Sequence, residues 1–68
     1  MIVFVDIMKK LSDAGWTTYR LRKEKMIGNG TLQRIKENQS ISTDTINTIC
    51  ELCDCQPGDL MIYIKEGS

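Results

Sequence analysis

The sequence predicts a mostly α-helical fold of five helices, with a short two-stranded β ribbon between the two ends of the chain. Apolar residues recur at helical spacing along most of the chain, and glycine, serine and threonine separate those stretches. Runs of β-favouring apolar residues occupy only residues 2–5 and 60–64. The 68 residues suffice for one domain, residues 1–68. A chain of this length buries only about 60% of the surface that it exposes when unfolded.

The first helix is expected to begin at Asp6, an acceptable N-cap residue, and to end at Gly15. Its inward-facing positions are Ile7, Met8, Leu11 and Ala14. Trp16 follows, and we expect it in the core, where it closes the gap between the first two helices. Stacking on a base is the alternative, but an exposed tryptophan with that role should lie among basic residues.

The fourth helix is expected over residues 43–53, with Ser42 as its N-cap. Its buried stripe follows the spacing i, i+3, i+4, i+7 and consists of Ile46, Ile49, Cys50 and Cys53. Pro57 then stands at the first position of a last short helix, where its missing N–H has no helical partner to lose.

Residues 17–38 have the spacing of a helix-turn-helix. Two helical patterns, residues 17–25 and 30–38, are joined by about four residues that include glycine, and Thr17 is placed to cap the first of them. Glycine permits the positive φ that a tight turn can require. The inward positions are Leu21, Ile27, Leu32 and Ile35. Asn29, Thr31 and Arg34 remain on the outer face, where a helix-turn-helix meets DNA.

The formal net charge is zero, but the charges are unevenly distributed. Residues 9–36 contain eight basic residues and two acidic ones, a net charge of +6. Residues 37–68 contain one basic residue and six acidic ones, a net charge of −5. A basic segment that coincides with the helix-turn-helix favours phosphates as the partner, although a solvated helix surface would show the same pattern.

Other classes of function fit the composition less well. Cys50, Cys53 and Cys55 include a CxxC pair, but a closed zinc site needs four ligands and the chain has no histidine and no fourth cysteine. We expect reduced thiols, no metal, no cofactor and no enzymatic activity, since no histidine is available as a base and no glycine-rich phosphate loop follows a strand. No apolar run approaches the roughly 20 residues that span a bilayer, and residues 1–5 are too short for a signal peptide. A cytoplasmic protein without a membrane or small-molecule partner is expected.

Two motifs of the second half resemble a known family. Thr45-Ile46-x-x-Ile49-Cys50-x-Leu52 and Cys55-Gln56-Pro57-Gly58-Asp59-Leu60 are similar to the pattern of small lambda-repressor-like, or Cro-type, helix-turn-helix regulators of bacteria and their mobile elements. The resemblance covers nearly the whole chain and implies sequence-specific binding of double-stranded DNA in the regulation of transcription. Three features depart from the family pattern. Arg22 stands where the family has alanine, and Met26 stands where the family has glycine. The loop Gln39-Ser40 is short.

The resemblance also implies which residues contact DNA. Base edges are assigned to Asn29, Gly30, Thr31 and Arg34. Phosphates are assigned to Thr18, Tyr19, Arg20, Lys23, Lys25 and Lys36. The Tyr19 ring is also placed to pack on the first helix, with its hydroxyl toward solvent or a phosphate.

The main alternative is a protein-interaction module on the same fold, as in an antitoxin or antirepressor. Arg22, Met26 and the short loop Gln39-Ser40, where many relatives have a basic loop, favour this alternative. For a DNA-binding regulator a homodimer is expected, through the terminal ribbon or residues 53–63. The free edge of the strand at residues 2–5 is the preferred contact.

Overall fold

The computed structural model describes residues 1–66. This part of the chain forms four α-helices and a two-stranded antiparallel sheet. In chain order the elements are β1 (Ile2–Phe4), α1 (Ile7–Asp13), α2 (Thr18–Lys23), α3 (Asn29–Lys36), α4 (Thr43–Cys53), a 3₁₀ turn (Pro57–Asp59) and β2 (Met61–Tyr63). None of the described helices is both long and apolar enough to cross a membrane.

The prediction of a fifth helix is wrong, because Pro57–Asp59 is a single 3₁₀ turn. The N–H of Asp59 donates to the Gln56 carbonyl at 2.9 Å, and that of Leu60 to the Pro57 carbonyl at 3.0 Å. Such bonds to the third residue back define a 3₁₀ turn. Because Leu60 lies in the core and β2 begins at Met61, the chain has no room for a full α-helical turn.

The predicted ribbon between the chain ends is confirmed. β1 and β2 pair in antiparallel register, with Ile2 opposite Tyr63, Val3 opposite Ile62 and Phe4 opposite Met61. Bonds from the Val5 N–H to the Leu60 carbonyl (2.8 Å) and from the Ile64 N–H to the Met1 carbonyl (2.7 Å) extend the ladder at both ends.

The core contains all the predicted inward positions of the helices except Ala14. Ile7, Leu11, Leu21, Ile27, Leu32, Ile35, Ile49 and Leu60 are buried. Phe4, Met8, Trp16, Ile46, Cys50 and Cys53 are partly buried and pack against them, among others. The core role predicted for Trp16 and the stripe predicted for α4 are therefore confirmed. Ala14 was predicted inward but is exposed, because α1 ends at Asp13 and Gly15 turns the chain away.

All four α-helices end in the same way. A residue in the left-handed region follows each helix, and the next N–H donates to the carbonyl five residues back, which is the Schellman arrangement. The left-handed residues are Gly15 (φ +88°), Lys25 (φ +54°), Asn38 (φ +56°) and Asp54 (φ +52°). The donor and acceptor pairs are Trp16 and Leu11, Met26 and Leu21, Gln39 and Arg34, and Cys55 and Cys50, at 2.7–3.1 Å.

Two of the three predicted N-caps are confirmed. The Thr17 hydroxyl accepts from the Arg20 N–H, and that of Ser42 from the Thr45 N–H, both at 3.2 Å. Asp6 makes no such bond, because it turns the chain from β1 into α1 with φ +49°. A side-chain N-cap normally requires a backbone in the β region.

Candidate nucleic-acid interface

The helix-turn-helix consists of α2, α3 and a five-residue connection, residues 24–28. Glycine was expected to permit a positive φ in this turn, but Gly28 has φ −73° and Gly30 lies within α3. Lys25 adopts the left-handed conformation instead, because α2 ends in a Schellman motif whose left-handed position falls on residue 25. The corner thus places a lysine between the two helices.

The outer face of α3 is polar and open. Leu32 and Ile35 anchor the inner face in the core, so Gly30, Gln33 and Arg34, at spacing i, i+3, i+4, point away from it, and all three are exposed. Nothing lies within 4 Å of where a Cβ on Gly30 would stand. A nucleic acid could therefore approach the backbone of α3 closely at this position.

The other residues expected to contact bases lie beside that face. Asn29 is the first residue of α3 and is exposed, whereas Thr31 is half-buried on the flank of the helix. Gly28 at the N-cap provides no side chain, so no side-chain bond satisfies the N–H groups of the first turn. These groups carry the positive end of the helix dipole.

Gln33 was not singled out from the sequence, although it lies on the same outer face as Arg34. The sequence pattern could have indicated this, because Gln33 lies between the inward residues Leu32 and Ile35, and such a position faces outward on a helix. A glutamine amide can bind adenine in the bidentate manner of asparagine, and arginine matches O6 and N7 of guanine. The outer face therefore carries one side chain suited to each purine.

Exposed cations lie on both helices and in the turn. Lys23, Lys25, Arg34 and Lys36 are exposed, and none of them forms an ion pair within residues 1–66. Thr18, at the start of α2, is half-buried. The concentration of unpaired positive charge predicted from the sequence is thus found along the helix-turn-helix.

Tyr19 does not pack on α1, since 67% of it is exposed. The Lys23 ammonium lies 5.8 Å from the centre of the Tyr19 ring, one turn further along α2. The ring and the ammonium group therefore form an exposed pair on one face of α2.

Arg20 differs from the other cations because its guanidinium is already engaged. The carbon at its centre lies 3.9 Å from the centre of the Trp16 ring. Its Nε donates to Glu24 Oε2 at 2.6 Å, and its Nη1 donates to the Gly15 carbonyl at 3.1 Å. The Arg20 side chain thus links the residues between α1 and α2 to Glu24, which follows α2.

The helix-turn-helix geometry agrees with a known protein family. Residues 6–66 match the family model of the Cro/C1-type HTH DNA-binding domain. The chain belongs to this family. No curated protein and no solved structure matched it. The resemblance found in the sequence is confirmed, and membership supports DNA binding and a role in transcription regulation. The family is generally non-enzymatic.

Two of the departures from the Cro/C1-type pattern have a structural explanation. Arg22 is exposed while its neighbour Leu21 is fully buried, so the long side chain at position 22 is not wedged into the core between α2 and α3. Met26 is 38% exposed and closes the Schellman motif of α2 with its N–H. Neither substitution interrupts the helix-turn-helix.

The cysteines lie at the other end of the domain, around the end of α4. Burial, and then the neighbouring Cys55, raise the pKa of the Cys50 and Cys53 thiols above its ordinary value. Both are therefore protonated near neutral pH and are poor nucleophiles. All three are free thiols, and within residues 1–66 no three potential ligands are arranged to hold a metal ion.

Proposed function

We propose that this chain binds double-stranded DNA in a sequence-specific manner and regulates transcription, as a regulator of the Cro/repressor type. One observation carries the proposal: the face of α3 opposite the core exposes Gly30, Gln33 and Arg34, and α2, the turn and α3 carry exposed cations that form no ion pair within residues 1–66. Such a face offers both base readout and attraction to phosphates. A DNA-binding domain must share a compartment with DNA, so the proposed location is the cytoplasm or nucleoid.

The proposed contacts divide by chemistry. Arg34, Asn29, Thr31 and the backbone at Gly30 meet base edges, and Gln33 joins them. Thr18, Tyr19, Lys23, Lys25 and Lys36 contact phosphates, which position the domain without reading sequence. Arg20 is left out of the phosphate set, because Trp16, Gly15 and Glu24 already occupy its guanidinium.

We further propose that the chain acts as a homodimer. One helix in the major groove reads only a few base pairs, and a two-fold dimer gains affinity by binding two half-sites about 34–36 Å apart. The proposed operator is therefore palindromic.

A protein-interaction module is the second candidate, and α2 provides the observation that favours it. Tyr19 on α2 (67% exposed) and Met26 in the turn (38% exposed) present apolar surface. Aromatic residues and methionine are enriched at protein interfaces. A partner that covered Tyr19 would displace one of the proposed phosphate contacts, as expected of an antirepressor complex.

Electrophoretic mobility shift with random genomic fragments at low salt separates the two candidates. We expect a shift, and we expect repeated selection from a random DNA pool to converge on one half-site and one spacing. Lys36→Ala should then flatten the plot of log affinity against log salt by roughly one unit, since one phosphate contact is lost. No shift at low salt would contradict DNA binding, and a shift without convergence would contradict sequence specificity.

A further inference from the structure

The terminal ribbon has one closed edge and one open edge. On β1, the backbone groups of Ile2 and Phe4 point away from β2, and the Asn38 side chain meets them there. Asn38 Oδ1 accepts from the Phe4 N–H at 2.8 Å, and Asn38 Nδ2 donates to the Ile2 carbonyl at 3.2 Å. The outer edge of β1, expected to be free, is covered by this amide.

The outer edge of β2 is open. Val5 bonds to Leu60 and Ile64 to Met1, so in an alternating antiparallel ladder the N–H and C=O groups of Met61 and Tyr63 point outward. These groups have no partner within residues 1–66. Unpaired strand edges readily pair with another chain.

The side chains of this edge are apolar and exposed. Ile62 is 50% exposed, Tyr63 72% and Ile64 47%. Neither β1 nor β2 contains a charged residue, so the acidic second half of the chain does not oppose contact at the ribbon.

We infer that β2 is the contact between the two copies of the proposed homodimer, which pair edge to edge into a four-stranded antiparallel sheet. This inference rests on the proposed function only in assuming that the dimer serves DNA binding. The geometry of the contact does not depend on that function. A two-fold axis at Ile62 pairs Met61 with the partner's Tyr63 at both ends of the contact and so uses all four outward groups. Ile62 then lies directly opposite the Ile62 of the partner subunit.

The absence of charge in β2 suits contact with a second copy, because like charges that meet across a two-fold axis would repel each other. About this axis only Met61, Ile62 and Tyr63 oppose one another, and all three are uncharged. A shift of the axis by half a residue would place the outward groups of Met61 or Tyr63 opposite the inward groups of Ile62, so hydrogen bonding fixes this register. Two three-residue strands bury far less than the roughly 1,200 Å² of a stable interface, so the dimer is weak in solution and DNA stabilises it.

Charge substitution at position 62 tests the inference. Ile62→Lys places two like charges directly opposite each other across the axis and leaves the inward bonds of the ribbon in place. Ile2→Lys is the matched control, since it adds the same charge to the same ribbon on the closed edge. Thermal unfolding followed by circular dichroism identifies the folded variants.

Sedimentation equilibrium up to millimolar concentration gives the first result. We expect wild type and Ile2→Lys to dimerise with similar constants, and Ile62→Lys to dimerise at least tenfold more weakly. Dimerisation of Ile62→Lys equal to that of wild type would overturn the inference, as would a wild type that stays monomeric at every concentration. Should Ile62→Lys fail to fold, Tyr63→Pro removes one outward N–H and is subject to the same expectation.

Measurements of DNA binding distinguish a failure of this inference from a failure of the proposed function. On a palindrome of the selected half-site, wild type should bind two copies cooperatively and Ile62→Lys without cooperativity, with equal affinity for a single half-site. Equal cooperativity in both proteins would place the interface elsewhere while DNA binding stands. Absence of binding by every protein contradicts the proposed function, and sedimentation still decides the interface.

Discussion

Among single residues, Arg20 shows how a cation on the helix-turn-helix can serve the fold. Its guanidinium lies over Trp16, bonds to the Gly15 carbonyl and pairs with Glu24. The pair with Glu24 is exposed, so its own contribution to stability is small. The three contacts together fix how α2 leaves α1, and α2 in turn supports α3.

Arg20→Ala should therefore lower the free energy of unfolding by about 1 kcal/mol, because it removes a hydrogen bond and a cation–π contact. The salt dependence of DNA binding should not change. Lys23→Ala is the control, with unchanged stability and a smaller salt slope. If Arg20→Ala had wild-type stability and a reduced salt slope of DNA binding, Arg20 would instead be a phosphate contact.

Among the elements, the turn between α2 and α3 combines backbone strain with charge. Lys25 has φ +54°, a conformation that is unfavourable for a residue with a Cβ. Gly15 occupies the equivalent position after α1 without this penalty. A lysine at this corner indicates a role other than stability.

Lys25→Gly should stabilise the fold by about 0.5–1 kcal/mol, since relief of the left-handed strain exceeds the entropy of a more flexible unfolded chain. Affinity for DNA should fall at the same time, with a salt slope lower by roughly one unit. Lys23→Gly should have the opposite effect on stability, because residue 23 belongs to α2. Destabilisation by Lys25→Gly would show that the lysine side chain supports the turn.

Asn38 connects two other elements, α3 and the ribbon. It follows α3 with φ +56°, which asparagine tolerates well, and its amide bonds to β1 twice. The end of the proposed recognition helix is thus attached directly to the sheet proposed to form the dimer.

Asn38→Asp should lower the free energy of unfolding by about 1 kcal/mol, because a carboxylate can accept from Phe4 but cannot donate to the Ile2 carbonyl. Chemical denaturation measures the difference. Gln39→Glu adds the same charge one residue later, at an exposed position, and should stay within about 0.5 kcal/mol of wild type. Equal losses in both variants would attribute the effect to charge alone.

For the whole molecule, hydrophobic periodicity was sufficient to predict the four α-helices, the ribbon and most of the core. Leu21, Ile27, Leu32 and Ile35 are buried as expected, since burial repeats with the period of the helix. The predicted fifth helix failed because three residues before a strand leave no room for an α-helical turn.

What the sequence could not predict depends on contacts between distant residues or on the geometry of helix ends. Asn38 meets Ile2 and Phe4 across more than thirty residues, so no local pattern indicates that bond. The left-handed conformation of Lys25 follows from where α2 ends, and helix ends are the least certain part of a sequence-based prediction. The candidate site was predicted as a face, and its individual contacts remain predictions.

The outer face of α3 is proposed to read base sequence, and the sequence discrimination of Arg34→Ala tests this claim. The measurement is the ratio of affinities for the selected half-site and for a scrambled site of equal length. Loss of a bidentate contact of about 1–3 kcal/mol should reduce this ratio by about 5-fold to 150-fold in Arg34→Ala. Arg22→Ala, the matched control on α2, should leave the ratio unchanged. An Arg34→Ala protein that weakens binding to both sites equally, with its ratio unchanged, would contradict the claim.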